Sequence, residues 1–195
     1  EVMVSKSQGP RPKFRLPNAA LWGLISISLC TNLTEGTMAD WSAVYMREIV
    51  KAPTALWGWG FAAYALFMAL TRFAGDAILK HHSGGKVLRV GGCVAASGLL
   101  LAVLLPYPAT VLIGFAMVGA GVSLGAPILY SAAAKVPGMA PGAGLATMNT
   151  FAMVGFLGGP AVIGFIAKGF SLPVALGVVI AAGGIWIWRA GYLKG

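Results

Sequence analysis

The sequence predicts an all-α membrane protein with six transmembrane helices in a chain of 195 residues. Hydrophobic residues make up 58% of the chain and charged residues only 10%, and the mean hydropathy is +0.83. A soluble helical protein of this size would instead show amphipathic stripes. The apolar residues form six runs, each meeting or approaching the roughly 20 residues that a helix needs to cross a bilayer. These runs lie near 17–45, 54–73, 87–105, 109–135, 143–168 and 172–188.

The basic residues follow a pattern that membrane topology explains. The chain carries 14 Lys and Arg against five Asp and Glu, and eleven of the 14 fall before the first run, in or beside the second and fourth gaps, or after the sixth run. Cytoplasmic loops collect Lys and Arg, so we expect both ends of the bundle to face the cytoplasm, most simply across a bacterial inner membrane. These cations are not interleaved with aromatic residues, and nucleic acid is not an expected partner.

The start of the chain differs in composition from the rest. The first 16 residues are polar and basic and lack the apolar stretch of a signal peptide. Ser, Gly, Pro and basic residues dominate 5–13, which is typical of a flexible connector. The chain also opens on Glu1 rather than Met. We therefore expect residues 1–16 to be a cytoplasmic linker, residues 17–195 to be the bundle, and the chain to be part of a longer protein.

Glu35 is the acidic residue predicted to lie deepest in the membrane. An ionised side chain there costs at least about 2.5–3.5 kcal/mol, so it needs a protein or water environment. Polar residues share its face of the helix at spacings of three, four and seven: Ser28, Thr31, Asn32 and Ser42. Two interpretations stay open: Glu35 binds solute or protons, or it only holds the bundle together. Asp40 lies nearer the outer mouth, where we expect it to pair with Arg47 or Lys51.

Three further polar residues are candidates for a path through the bundle: Tyr64, Tyr130 and Asn149. A Tyr in a bundle is more often a packed core residue with one satisfied hydroxyl, whereas a buried Asn amide needs several partners. Cys30 and Cys93 fall in separate runs without a metal-ligand or redox spacing. The sequence therefore predicts no metal site and no cofactor.

Glycine pairs mark places where helices are expected to touch. Gly121 and Gly125 form one G-x-x-x-G pattern, and Gly155 and Gly159 form another. Such pairs let backbones approach closely within a membrane. Pro160 follows Gly159 and removes a helical hydrogen bond, which predicts a bend in the fifth helix. Generic packing and a bend at a moving interface are both consistent with this pattern.

Arg72 and Asp76 bracket the predicted inner end of the second helix, four residues apart. The simple interpretation is a surface ion pair. The sharper one is a latch, in which Asp76 interacts with the N-terminus of a neighbouring helix and holds one transport state closed.

Three segments together resemble the major facilitator superfamily. Residues 72–76, with Lys80, Lys86 and Arg89, resemble the second copy of its cytoplasmic signature loop. Residues 155–164 resemble the Gly/Pro-rich pattern of span eleven, and residues 35–45 resemble span seven. The whole chain is similar to the C-terminal six-helix half of such a transporter, spans seven to twelve.

This resemblance implies two inverted three-helix repeats that rock against an N-terminal six-helix half in the same transporter. It implies a small solute, and possible coupling to protons, with binding near the midplane. The implied binding residues are Glu35, Asn32, Tyr64, Tyr130 and Asn149, with Asp40 at the outer mouth. The implied cytoplasmic gate is Arg72, Gly75 and Asp76.

Other functional classes have less support. The chain contains no H-E-x-x-H motif, and His81 and His82 fall in a predicted loop, so an intramembrane enzyme is not expected. A T-V-G-Y-G filter is absent. The alternative that stays open is a structural or channel-like six-span subunit acting as a dimer, although a structural subunit would not need Glu35 at membrane depth.

Overall fold

A computed structural model of the protein describes residues 18–139 and 141–191, and within these residues all regular structure is helical. The predicted linker, residues 1–16, lies outside the described residues. A short 3₁₀ turn, Thr54–Leu56, precedes the second helix. The eight helices are α1 (Ala19–Glu48), α2 (Trp59–Phe73), α3 (Gly75–His81), α4 (Gly84–Leu104), α5 (Pro108–Val122), α6 (Gly125–Ala133), α7 (Pro141–Gly169) and α8 (Leu172–Ala190).

Five stretches of the described residues are long and apolar enough to cross a bilayer. They are Thr54–Phe73, Gly84–Leu104, Pro108–Ala133, Gly142–Gly169 and Leu172–Ala190. The prediction of an all-α membrane protein is confirmed. Helix α1 has 30 residues, but it is not one of the five because its polar side chains lower its hydropathy. Its crossing of the membrane, and the arrangement into inverted repeats, stay predictions.

The predicted run 109–135 is divided into two helices rather than one. Helix α5 ends at Val122 and α6 begins at Gly125. Pro127 explains the break, because it has no N–H to donate to the carbonyl of Ser123, four residues earlier. The freed carbonyl accepts a different hydrogen bond, which Arg72 Nε donates over 3.2 Å.

The polar loop expected between the second and third runs is also shorter than predicted. Lys80 and His81 belong to the last turn of α3, and α4 already begins at Gly84. Basic side chains in a last helical turn interact favourably with the helix dipole. Only His82 and Ser83 connect the two helices.

The bundle is built on close contacts between helices. Helix α1 packs on α7 and α8, α4 packs on α5 and α8, and α2 packs on α5. Where α4 meets α5, Gly91 faces Gly121 and Gly98 faces Gly114, and a Cβ on any of the four would overlap the backbone oxygen of its partner. Without a hydrophobic force between helices in lipid, such backbone contact is what holds them together. The predicted close approach at Gly121 is confirmed.

The contact between α1 and α7 is equally tight and uses a carbonyl freed by proline. Pro160 lies within the continuous helix α7 and leaves the carbonyl of Phe156 without its helical donor. Gly36 of α1 lies directly against that carbonyl, and a Cβ at this position would overlap the oxygen. Trp41 Nε1 donates to the carbonyl of Pro160 over 3.1 Å. Close approach is confirmed at Gly155 and Gly159 as well, which lie against Leu29 and Leu33, whereas a bend in α7 stays a prediction.

Candidate functional site

A cavity of about 530 Å³ lies between α1, α2 and α7. Its volume falls within the range of roughly 300–1,000 Å³ that small-ligand sites occupy. Three polar side chains line it, Glu35, Tyr64 and Arg72. The rest of the lining is apolar, and its large side chains are Phe61, Met68, Phe73 and Phe156.

Glu35 reaches the cavity from the middle of α1. Its side chain is half-buried, and its neighbour Gly36 is pressed against α7, so the backbone that carries the carboxylate is held firmly. Glu35 makes no hydrogen bond to any residue in 18–139 or 141–191. It interacts electrostatically with Arg72 and with the Tyr64 hydroxyl. Its carboxylate is therefore available to a ligand or a proton.

Helix α2 supplies the other two polar groups from one face. Tyr64, Met68 and Arg72 are spaced four residues apart, which places them one above the other. Tyr64 is buried, with its ring 5.8 Å from that of Phe61. Arg72 bridges two features, because its side chain lines the cavity while its Nε donates to the Ser123 carbonyl in the α5–α6 break.

Two of the predicted pathway residues on α1 lie away from this cavity. Asn32 turns back on its own helix, where Nδ2 donates to the carbonyl of Ser28 over 2.9 Å. Asp40 is exposed. The expected pairing of Asp40 with Arg47 is wrong, because Arg47 Nε contacts the adjacent carboxylate of Glu48 at 2.8 Å.

Tyr130 and Asn149 are brought together, although neither lines the cavity. The Tyr130 hydroxyl donates to Asn149 Oδ1 over 3.0 Å and so links α6 to α7. Asn149 lies seven residues before Phe156, which puts both on one face of α7, about 10 Å apart along the axis. The pair therefore lies on the same side of α7 as the cavity.

Two of the three residues of the predicted gate meet at the α5–α6 break, and the gate itself stays a prediction. The expected Arg72–Asp76 surface pair is wrong: α2 ends at Phe73 and α3 begins at Gly75, so the helical spacing of four does not exist. Arg72 and Gly75 both contact the α5–α6 break instead, Arg72 through Ser123 and Gly75 by packing against Leu124. Asp76 is exposed in the first turn of α3.

No family model matches the sequence, but curated proteins do. An uncharacterized MFS-type transporter of Yersinia pestis is 36% identical over 168 residues, 86% of this chain and 44% of that protein. The membrane protein MosC of Rhizobium meliloti is 31% identical over 80% of the chain and 39% of its own length. An uncharacterized transporter of Sinorhizobium fredii is 30% identical over 84% of the chain and 44% of its own length.

The chain belongs to the major facilitator superfamily. It spans less than half the length of the curated relatives it matches. As a member of the superfamily, it is an integral membrane protein, and the five apolar helical stretches agree with this.

The feature of this superfamily member that sequence reasoning missed is the position of Arg72. The residue comes at the end of an apolar run, and we expected it at a gate rather than beside Glu35. The spacing of Tyr64, Met68 and Arg72 carried the signal, because it places the guanidinium on the face that holds Tyr64. The aromatic residues Phe61 and Phe156 could not be distinguished by sequence from lipid-facing ones.

Proposed function

We propose that this protein forms one side of a secondary active transporter, with the Glu35 cavity on the path of a small solute. The observation that carries the proposal is the placement of a half-buried carboxylate, an arginine and a tyrosine in one otherwise apolar cavity. Ionisable residues within membrane-spanning segments are rare and mark ion and substrate paths, which makes them functional-site candidates by default. The names of the relatives, two of which are called transporters, support the same function.

The exposed surfaces of α2 and α7 support a second half as the partner. Both helices flank the cavity and present large apolar side chains outward, such as Phe73 at 87% exposure and Leu157 at 71%. The relatives are more than twice as long as the matched region. A further six-helix half would close the open side of the cavity, and rocking of the two halves would expose it to each side of the membrane in turn.

Glu35 is the group that couples transport to protons in this proposal. When it is ionised, it attracts Arg72; when it is protonated, that attraction is lost, and the two states favour different arrangements of α1 and α2. A ligand or proton shifts a conformational equilibrium only through such a difference in affinity for the two states.

The test is Glu35→Gln in the transporter reconstituted into vesicles. Gln keeps the shape of the side chain and removes its titration. With a panel of labelled sugars, amino acids and organic acids, we expect solute exchange to continue while accumulation driven by a pH gradient is lost. Glu48→Gln is the matched control, because Glu48 lies on the same helix but is exposed and paired with Arg47. If both variants accumulate solute like the unchanged protein, Glu35 does not couple protons.

A purely structural subunit is the competing function, and the same experiment distinguishes it from a transporter. Such a subunit would exchange none of the solutes with or without Glu35, and substitution of Glu35 would alter only the stability of the bundle.

A further inference from the structure

A second cavity lies on a different surface of the bundle from the Glu35 cavity. Its volume is about 330 Å³, and it forms a groove between α3, α4 and the end of α5. The two cavities share no lining residue. Helix α2 contributes only Thr71 to this groove. The groove is therefore separate from the proposed transport path.

The wall of the groove is apolar along one face of α4. Val87, Val90, Gly91 and Val94 follow the spacing that keeps residues on a single helical face. This face extends about 10 Å along the helix axis, at 1.5 Å per residue. The groove is deep because its floor is the contact between Gly91 and Gly121, where neither residue has a side chain. Val90 is 54% exposed, so the groove opens to the surroundings of the helix.

The charged end of the groove lies where α4 begins. His82 and Lys86 line the groove there, and Lys86 supplies the positive charge of its wall. Lys86 is exposed. In the part of the chain that the structure describes, the single ion pair is Arg47–Glu48, so the Lys86 ammonium has no carboxylate partner. Asp76 on α3 is the nearest acidic residue in sequence, but it forms no ion pair either.

We propose that this groove binds an anionic phospholipid, with one acyl chain along the Val87–Val94 face and the phosphate beside Lys86. The surrounding solvent of these helices is lipid, and an apolar groove open to it will hold a hydrocarbon chain. An unpaired lysine at the end of such a groove favours a headgroup with net negative charge, as basic pockets between membrane helices do. This inference does not rest on the proposed transport function.

The experiment counts the lipid that the purified protein retains. The protein is equilibrated in detergent with equal amounts of phosphatidylglycerol and phosphatidylcholine of the same acyl chains, and bound lipid is counted by native mass spectrometry. One basic residue at a membrane surface corresponds to about a fivefold preference for an anionic lipid. We expect that preference in the unchanged protein and its loss in Lys86→Gln.

Three further variants distinguish binding in the apolar groove from attraction by charge alone. Val90→Trp fills the groove and should reduce retention of phosphatidylglycerol, whereas Val174→Trp, at an equally exposed valine on α8, should not. Lys168→Gln, at an exposed lysine near the end of α7, is the control for lost charge. Size-exclusion chromatography verifies that each variant is folded.

Three results would overturn the proposal. The first is equal retention of the two lipids by the unchanged protein. The second is a Lys86→Gln variant that behaves like Lys168→Gln, or a Val90→Trp variant that behaves like Val174→Trp. The third is complete displacement of phosphatidylglycerol by excess inorganic phosphate, which would show that the site binds an anion without using the apolar groove.

Discussion

Replacing Gly36 with Ala should separate α1 from α7 and lower the stability of the bundle. A Cβ at this position would overlap the Phe156 carbonyl oxygen and would also lie 3.2 Å from its carbon and 3.3 Å from Pro160 Cδ. The obstacle is backbone and a proline ring, which cannot turn aside as a flexible side chain can. Approaches under 3.0 Å are essentially never made by real Cβ atoms, and ordinary contact begins at 3.4 Å. The two helices must therefore move apart by more than about 0.4 Å in an interior packed as densely as a crystal.

Overpacking of this kind costs about 1–3 kcal/mol. At about 2–4 °C per kcal/mol for a protein of this size, the midpoint of thermal unfolding should fall by roughly 2–12 °C. Unfolding of the purified protein in detergent, followed by tryptophan fluorescence, measures this shift. Gly23→Ala is the matched control on the same helix, because a Cβ at Gly23 meets nothing within 4 Å. It should be neutral, or stabilising by up to about 1 kcal/mol through helix propensity. Equal midpoints for the two variants would refute the reasoning.

Two more substitutions test the packing that holds the cavity. Tyr45→Phe removes the buried hydroxyl that donates to the carbonyl of Ala102 over 2.9 Å. We expect the free energy of unfolding to fall by about 0.5–1.5 kcal/mol in the same unfolding assay. An unchanged midpoint would mean that this hydrogen bond does not stabilise the protein. Gly119→Ala places a Cβ on the backbone oxygen of Tyr64 and should lower the free energy of unfolding by about 1–3 kcal/mol, because α2 and α5 must move apart. Gly177→Ala is the control, because a Cβ there has open space around it. Similar losses of stability in both variants would contradict the α2–α5 contact.

The helices themselves were predictable because hydropathy and length carry most of the signal in a membrane protein. The run 54–73 matches the Thr54–Phe73 stretch, and the run 172–188 matches all but the last two residues of α8. The break between α5 and α6 was missed because hydropathy depends on side chains and does not show where a backbone hydrogen bond is lost. Pro127 was the available sign, since the carbonyl four residues before a proline loses its donor.

The site was predictable only in part, because contacts between helices depend on how the helices rotate and pack. Glu35 and Tyr64 were identified from polarity within apolar runs, and both line the cavity. The bond between Tyr130 and Asn149 joins two candidates that sequence could not connect. Asn32 does not line the cavity, for a physical reason: an amide in a helix can donate to the carbonyl four residues earlier, as it does with Ser28.

The arginine at the α5–α6 break has more hydrogen-bonding capacity than the break consumes. A guanidinium carries five N–H donors in a rigid plane, and in the described part of the chain Ser123 accepts just one of them. Four donors therefore remain, enough for two parallel hydrogen bonds to one carboxylate while the bond to the Ser123 carbonyl is kept. A lysine in its place would concentrate its donors on one nitrogen, so a hydrogen bond to Ser123 would compete with any second contact.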